Sequence, residues 1–222
     1  MDECSSCSGT TGSKVWLALQ IVKEDFSKSC IFSEYGCSIK LPKEEQENHS
    51  HHCKYKPVHC PSLGCDELVP INAVMKHMDD NKPKHMHFKF EASMVDLVYL
   101  QINEIMKNQR SRMLSPARIT LDDHYFYGIF WREPRPLGRW HIWLYMVGTP
   151  EESRKYMFTA RITNQDPFEE LSYTGQTVSV EMGRQQIISE GRCLIFNDET
   201  FKRFCLYDSI VVHIDVRRNP TH

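Results

Sequence analysis

Long hydrophobic runs, an excess of positive charge and recognisable catalytic loops are all missing from this 222-residue sequence. No apolar run approaches the roughly 18 residues of a membrane-spanning helix. The opening residues, Met1-Asp2-Glu3-Cys4, lack a charged segment followed by an apolar one, so no secretory signal is expected. The formal net charge is -2, which excludes polyanion binding driven by bulk positive charge. Neither a GxSxG elbow nor a glycine-rich phosphate loop occurs, so the common routes to serine hydrolysis and nucleotide binding are absent. Arginine is missing before Arg110: all thirteen arginines lie at or after it, and twelve of the fourteen lysines precede it. What remains is ordinary for a globular chain of one or two domains, with 41% hydrophobic residues available for a core.

Cysteine is what the sequence does contain, and its placement is uneven. Cys4, Cys7, Cys30, Cys37, Cys53, Cys60 and Cys65 lie in the first 65 residues, and only Cys193 and Cys205 lie beyond. An odd total of nine without a secretory signal disfavours a disulfide scaffold and points to metal ligation in a reducing setting, cytoplasmic or nuclear. Histidine shares the geography: seven of eleven lie between His49 and His87. The Cys/His region ends where the lysine-to-arginine shift falls, so two units joined between about residues 88 and 117 are expected.

Residues 1–13 are small and polar and read as a tail. Residues 15–26 place Val15, Leu19 and Val22 at helical spacing, the pattern of a short helix. Residues 30–87 hold few periodic segments and cannot bury much apolar area, so they need a staple. Within them, Asn72 to Met78 reads as a brief helix capped by Asn72. Residues 88–109 fit a helix as well as a strand followed by a turn. From Ala117 onward the chain reads as β, with strands at Tyr125–Trp131, Trp140–Val147, Tyr156–Thr163, Leu171–Val180, Cys193–Phe196 and Ser209–Val216. Turn-rich clusters divide them, and no internal repeat is visible in this half. The fold class is mostly β: a small α+β zinc-finger module, then an antiparallel β-sandwich.

Cys30-x6-Cys37-x11-His49-x3-Cys53 is the strongest local signal. A structural zinc takes four tetrahedral N/S ligands, usually as two local pairs joined by a longer span. Gly36 lets the backbone turn toward the ion, and a helix would put His49 and Cys53 on one face. His51 and His52 read as exposed rivals. A second set, Cys60-x4-Cys65-x11-His77, repeats the x11 spacing and implies a duplicated unit. Its fourth ligand is expected to be His85, with His87, Asp79 and Asp80 as alternatives. Two structural zinc ions are therefore expected, closed to water and without hydrolytic chemistry.

The stretch Cys30–Cys53 followed by Cys60–His77, ending in DELVPINAVMKH, resembles the Siah-type zinc finger of the seven-in-absentia family of RING-type ubiquitin ligases. Tyr125–Trp131, WHIWLYMVGT (Trp140–Thr149) and RCLIFND (Arg192–Asp198) resemble that family's TRAF-like substrate-binding sandwich. The resemblance covers most of residues 15–217. It implies capture of degron peptides by strand addition at an edge between about residues 88 and 123, and dimerisation as a homodimer or with full-length relatives. It implies three segments: a tail with a short helix at 1–29, a double zinc finger at 30–87 and the sandwich at 88–222. Cys4-Ser-Ser-Cys7 with Gly9 resembles the final pair of the family's RING. A RING needs eight ligands, so an intact RING, and with it recruitment of a conjugating enzyme by this chain alone, is not expected. An N-terminally incomplete ligase is the alternative. The Cys60–Cys65 gap is shorter than the family's, and the last histidine is displaced.

Other function classes find less support. Lys40, Lys43, Lys54 and Lys56 are interleaved with Glu44, Glu45, Glu47, Asp66 and Glu67, so no single-sign stripe for nucleic acid emerges. Cys193 and Cys205 read as core residues, and His124, His141 and His213 as isolated core or cross-strand residues rather than bases. The aromatic residues Tyr125 to Trp143 read as sandwich core.

Overall fold

The computed structural model describes residues 27–221, save 63, 81–84, 86, 108–109, 111, 135 and 165–168. The expected tail at 1–13, with Cys4 and Cys7, and the expected helix at 15–26 lie outside the described residues. The chain divides between Lys56 and Pro57 into two compact units. That division runs through residues 30–87, the stretch expected to form one module.

In the first unit, strand β1 (Lys28–Ser29) pairs antiparallel with β2 (Lys40–Leu41), and the loop between them holds a 3-10 turn at Ser33–Tyr35. Helix α1 (Lys43–His52) starts after Pro42, with Glu44 and Glu45 in its first turn and His49, His51 and His52 in its last, which suits the helix dipole. The Gln46 side chain donates to the carbonyls of Lys28 and Leu41 and so ties the helix to the strands. No residue of α1 is buried. Among the described residues of the unit, the buried apolar ones are Cys30, Cys37 and Cys53, with Phe32 and Tyr55 packed on them. So small a core cannot hold a fold by apolar burial alone.

The second unit starts with the hairpin of β3 (Pro57–His59) and β4 (Leu68–Pro70). A 3-10 turn at Ile71–Ala73 leads into α2 (Val74–Asp80). The helix expected over 72–78 is thus displaced: Pro70, at φ -56, opens the 3-10 turn, and Asn72 lies inside it rather than capping. The stretch 88–109 becomes β5 (Phe88–Phe90), β6 (Met94–Leu100) and α3 (Ile102–Lys107). β6 buries Val95, Leu97 and Tyr99 in alternation. Gln101, at φ 58, ends the strand, and Ile102, Ile105 and Met106 are buried at helical spacing beyond it. Strand and helix periods succeed each other without a gap, which is why one pattern fits both.

The remaining elements are β7 (Arg112–Leu121), β8 (His124–Arg132), β9 (Arg139–Met146), α4 (Pro150–Arg154), β10 (Tyr156–Thr163), β11 (Glu170–Gln176), β12 (Val178–Ser179), α5 (Arg184–Ser189), β13 (Leu194–Asn197), α6 (Asp198–Phe204) and β14 (Ser209–Arg218). They form a four-stranded sheet, β11-β10-β14-β6, and a six-stranded sheet, β12-β9-β8-β7-β5, with β13 also paired to β9. Pairing is antiparallel except for β5 with β7 and β12 with β9. The fold is the mostly-β sandwich expected. The two sheets interlock: a Cβ on Gly128 would sit 3.2 Å from Ile214 Cδ1, and the Tyr99 and Phe130 rings meet at 5.4 Å.

β8 and β9 are buried on both faces from Phe126 and Trp140 onward. Phe126, Phe130, Leu144 and Ile142 share one face, and Tyr127, Ile129, Trp131, His141, Trp143 and Tyr145 share the other. Cover on this second face includes the Arg184 guanidinium, 5.0 Å from the Trp131 ring, and Met182, whose carbonyl accepts from the Tyr145 hydroxyl. His87 lies edge-on to Tyr127. Val58, Val69, Ile71, Val74 and Met78 belong to the same hydrophobic core as the sandwich.

One buried ion pair closes the sandwich. Arg132 has no exposed side-chain surface, and it donates through Nε and Nη2 to the two carboxylate oxygens of Asp198 at 2.9 and 2.6 Å. Trp140 Nε1 donates to the same carboxylate at 2.8 Å. Gly138, at φ 54, passes so close that a Cβ there would meet Asp198 Oδ2 at 2.8 Å. Removing the carboxylate leaves a buried guanidinium without its main counter-charge, and breaking such a pair costs about 3 kcal/mol or more. Asp198→Ala is therefore expected to lower the thermal midpoint by about 10 °C, read by tryptophan fluorescence. A midpoint unchanged within about 2 °C would contradict this account of the pair.

Candidate metal centres

The first centre is assembled by a tight loop and a helix end. Cys30 and Cys37 flank the 3-10 turn, and the Cys30 N–H donates to the Ile39 carbonyl at 3.0 Å. Gly36 takes φ 103, the left-handed region that glycine favours, and a Cβ there would press on the Tyr55 ring at 3.3 Å. His49 lies in the last turn of α1 and Cys53 at its C-cap. These four side chains bring one ligand atom each within 4.8 Å of one another. Cys30 Sγ is 3.9 Å from Cys53 Sγ, and Cys37 Sγ is 3.5 Å from His49 Nε2.

The second centre repeats the logic on another frame. Cys60 ends the β3 side of the hairpin, where its N–H donates to the Glu67 carbonyl, and Cys65 comes directly after Gly64 at φ 84. His77 comes from α2, and His85 lies three residues before β5. Their ligand atoms again fall within 4.8 Å of one another. Cys60 Sγ is 3.4 Å from His85 Nε2, and Cys65 Sγ is 3.4 Å from His77 Nε2. Glu67 Oε2 stands 3.4 Å from His77 Nδ1, the outer-shell carboxylate that orients a ligating imidazole.

The distances match a tetrahedral ion. With Zn–S near 2.3 Å and Zn–N near 2.0 Å, a tetrahedron has edges of ~3.8 Å between sulfurs and ~3.5 Å between sulfur and nitrogen. The observed 3.9, 3.5, 3.4 and 3.4 Å fall on those edges. A sulfur pair 3.9 Å apart is far from a disulfide, and all the described cysteines are free thiols. Each cluster can therefore hold a zinc ion through soft and borderline donors, with no further ligand needed. Such closed centres stabilise a fold and leave no position for an activated water.

Burial sets the proton chemistry of these thiols. Burial, then the neighbouring thiols, pushes Cys53 up to about 12, and burial with Cys65 and Glu67 nearby pushes Cys60 up to about 12. Cys37 goes the other way: burial raises it, but hydrogen bonds from the Ile39 backbone and from the Cys53 and Cys30 thiols hold it low. An ion entering either cluster must displace thiol protons.

The alternatives at the second centre are drawn elsewhere. His87 Nδ1 donates to the His85 carbonyl at 2.7 Å, and burial lowers its pKa. Asp79 accepts from Lys89 and Arg118. Asp80, His51 and His52 also lie outside both clusters. Glu67 was not expected; it lies two residues after Cys65, and nothing in spacing marks it out.

The remaining expected residues behave as core or surface. Burial pushes the Cys193 thiol up to about 11, and burial with Asp208 nearby pushes Cys205 up to about 11, so neither is a ready nucleophile. Buried His141 lies between Cys193 Sγ, 3.9 Å from Nδ1, and Glu133 Oε1, 3.3 Å from Nε2. Burial lowers the His141 pKa. His213 bridges Asp96 and Thr163 across the open face of the four-stranded sheet. His124 sits edge-on to Tyr156.

A cavity of about 270 Å³ opens where β6, the edge of one sheet, comes near β5, the edge of the other. Its walls include Phe88, Val98, Leu100, Arg112 and Met113. Phe88, Val98 and Leu100 are 50%, 56% and 66% exposed, a high value for large apolar side chains beside a strand edge. No helix among the described residues is long and apolar enough to cross a membrane.

No protein-family model matches the chain. Over 217 residues it is 19% identical to the E3 ubiquitin-protein ligase sina of Drosophila melanogaster, an overlap of 96% of this chain and 66% of that protein. It is 22% identical over 200 residues to the human E3 ubiquitin-protein ligase SIAH2, covering 87% of this chain and 59% of the relative. Over 86 residues, 38% of this chain and 28% of the relative, it is 29% identical to the E3 ubiquitin-protein ligase SINAT2 of Arabidopsis thaliana. The chain thus spans just under two thirds of the length of the Drosophila relative. These similarities, with two Cys/His clusters ahead of a sheet-rich region, support the family that the sequence resembles.

Elemental analysis of the purified chain is expected to find two zinc ions per chain, falling to one in His49→Ala and one in His85→Ala. One ion in the unaltered chain would remove one of the two centres. Because the first cluster contributes three thiols and the second two, protons compete harder at the first. Lowering the pH from about 8 to about 6 is expected to weaken zinc at the first cluster more steeply, read by chelator competition with each single-site variant.

Proposed function

We propose that this chain is a member of the seven-in-absentia family and forms the zinc-binding, substrate-recognising half of a Siah-type ubiquitin ligase. The observation that carries the reading is the pair of Cys/His clusters in tandem ahead of the sandwich. Similarity to the ligases sina and SIAH2 over most of the chain supports the same conclusion. In this proposal Cys30, Cys37, His49 and Cys53 ligate one structural zinc, and Cys60, Cys65, His77 and His85 the other.

Substrate capture is assigned to the β6 edge. An edge strand offers unpaired backbone N–H and C=O groups, so an extended degron peptide can add as a further strand. The cavity beside β6 then takes apolar side chains of that peptide against Phe88, Val98 and Leu100. Ligation of the RING type forms no covalent intermediate on the ligase; it works by holding substrate near a charged conjugating enzyme. This chain then performs the holding step, in a homodimer or in a heterodimer whose full-length partner recruits the conjugating enzyme. Captured proteins are committed to ubiquitin-dependent degradation in the cytoplasm or nucleus.

Extended peptides selected from a random library on the zinc-loaded chain are expected to bind at micromolar strength by fluorescence anisotropy. Val98→Asp, which places a charge on an already exposed position, is expected to weaken them at least tenfold without lowering the thermal midpoint. Failure of the folded, zinc-loaded chain to retain any extended peptide would sink the capture role. In a reconstituted reaction, ubiquitin chains on a bound substrate are expected only when a full-length relative is added.

A further inference from the structure

The two metal clusters are built into different structural frames. The first is a cluster of three cysteines with Phe32 and Tyr55 against it, in the unit before Pro57. The second lies in the larger unit, and Cys60 and Cys65 are members of the sandwich core itself. Its helix α2 has seven residues, too short to persist alone, and buries Val74 and Met78 completely in that core.

Two links run from this cluster to one strand. The first is covalent: His85, 1% exposed, stands three residues before Phe88, where β5 begins. The second is electrostatic. Asp79 lies on α2 two residues beyond His77, and its Oδ1 accepts from Lys89 Nζ, in the middle of β5, at 2.7 Å. Its Oδ2 accepts from Arg118 Nη1, on β7, at 3.1 Å. Lys89 and Arg118 are opposite one another in the β5–β7 register, so one carboxylate spans the seam between the two strands. β5 itself is three residues long, lies at the edge of its sheet and pairs in parallel. Parallel pairing is the weaker kind per residue, so β5 depends on what anchors it. Phe88, its first residue, is a wall of the cavity.

We propose that a metal ion at the second cluster is a structural cofactor of the sandwich: by fixing α2 and His85 it orders β5, with Asp79 as the positioning residue that transmits the constraint. The first cluster organises its own unit. Where the cavity is the peptide groove, as proposed above, peptide capture then depends on occupancy of the second cluster and tolerates loss of the first.

The experiment measures backbone hydrogen exchange by mass spectrometry on the full zinc-loaded chain, with zinc counted by elemental analysis. His49→Ala is expected to lose one ion and leave exchange over residues 88–90 unchanged. His85→Ala is expected to lose one ion and speed that exchange at least tenfold. Asp79→Ala is expected to keep both ions and still speed exchange over 88–90 severalfold, leaving β10 unchanged, with Asp79→Glu restoring part of the protection. Should His85→Ala fail to fold, Asp79→Ala decides alone. Exchange over 88–90 that stays at the unaltered level in Asp79→Ala, or that rises as much in His49→Ala as in His85→Ala, overturns the proposal. The exchange measurement needs no peptide. Absence of peptide binding by the unaltered chain would therefore count against the groove alone, and the exchange rates would still decide the role of the metal.

Discussion

An aromatic sheet face that cannot be left in water governs the larger unit. Tyr127, Ile129 and Trp131 of β8 stand beside His141, Trp143 and Tyr145 of β9 on the side turned away from the four-stranded sheet. In an ordinary antiparallel sandwich that side is polar, because strands alternate apolar inward and polar outward. Here both faces of the two central strands are buried. Leaving these side chains exposed would cost on the order of 10 kcal/mol, as much as the roughly 5–15 kcal/mol by which a domain is stable. The covering groups come from Arg184, Met182 and His87, and the apolar residues of the β3–β4 hairpin and α2 are continuous with the same core. The segment carrying the second Cys/His set is therefore held by the sandwich, and the sandwich by that segment.

The first unit answers a different shortage. Among its described residues it has a helix without a buried residue and a core made of three thiols and two aromatic rings. Three small thiols bury too little apolar surface to hold a fold, and the same thiols as metal ligands can supply the missing stability. Both clusters close with four protein donors, which leaves no room for a reacting water. Val98 and Leu100 on the β6 edge are among the large apolar side chains that the described surface leaves exposed.

Much of this is legible in the residues. Seven of the eight clustered donors can be picked out by spacing, because zinc ligands come from local turns and helix ends where a few residues of chain decide the geometry. The strands at 156–163 and 209–218 show clean alternation because each has one face inward. Residues 88–109 are ambiguous because β6 and α3 abut with only Gln101 between them. The long apolar runs of β8 and β9 read as core, and they are; their being apolar on both faces is itself a sign of a third layer, which spacing alone does not identify.

Seven of the eight donors, the order of the clusters and the β character of the larger part of the chain are already written in the residues, since ligand type, turn chemistry and periodicity are properties of short stretches. Tertiary structure alone decided between His85 and His87. They are two residues apart and chemically identical, and the choice fell out of where β5 docks: His87 is spent on the His85 carbonyl and the edge of Tyr127, which leaves the His85 imidazole facing the thiols. The same docking made the second cluster part of the sandwich's own unit. Burial against a distant surface is a property of the whole chain, and no local spacing encodes it.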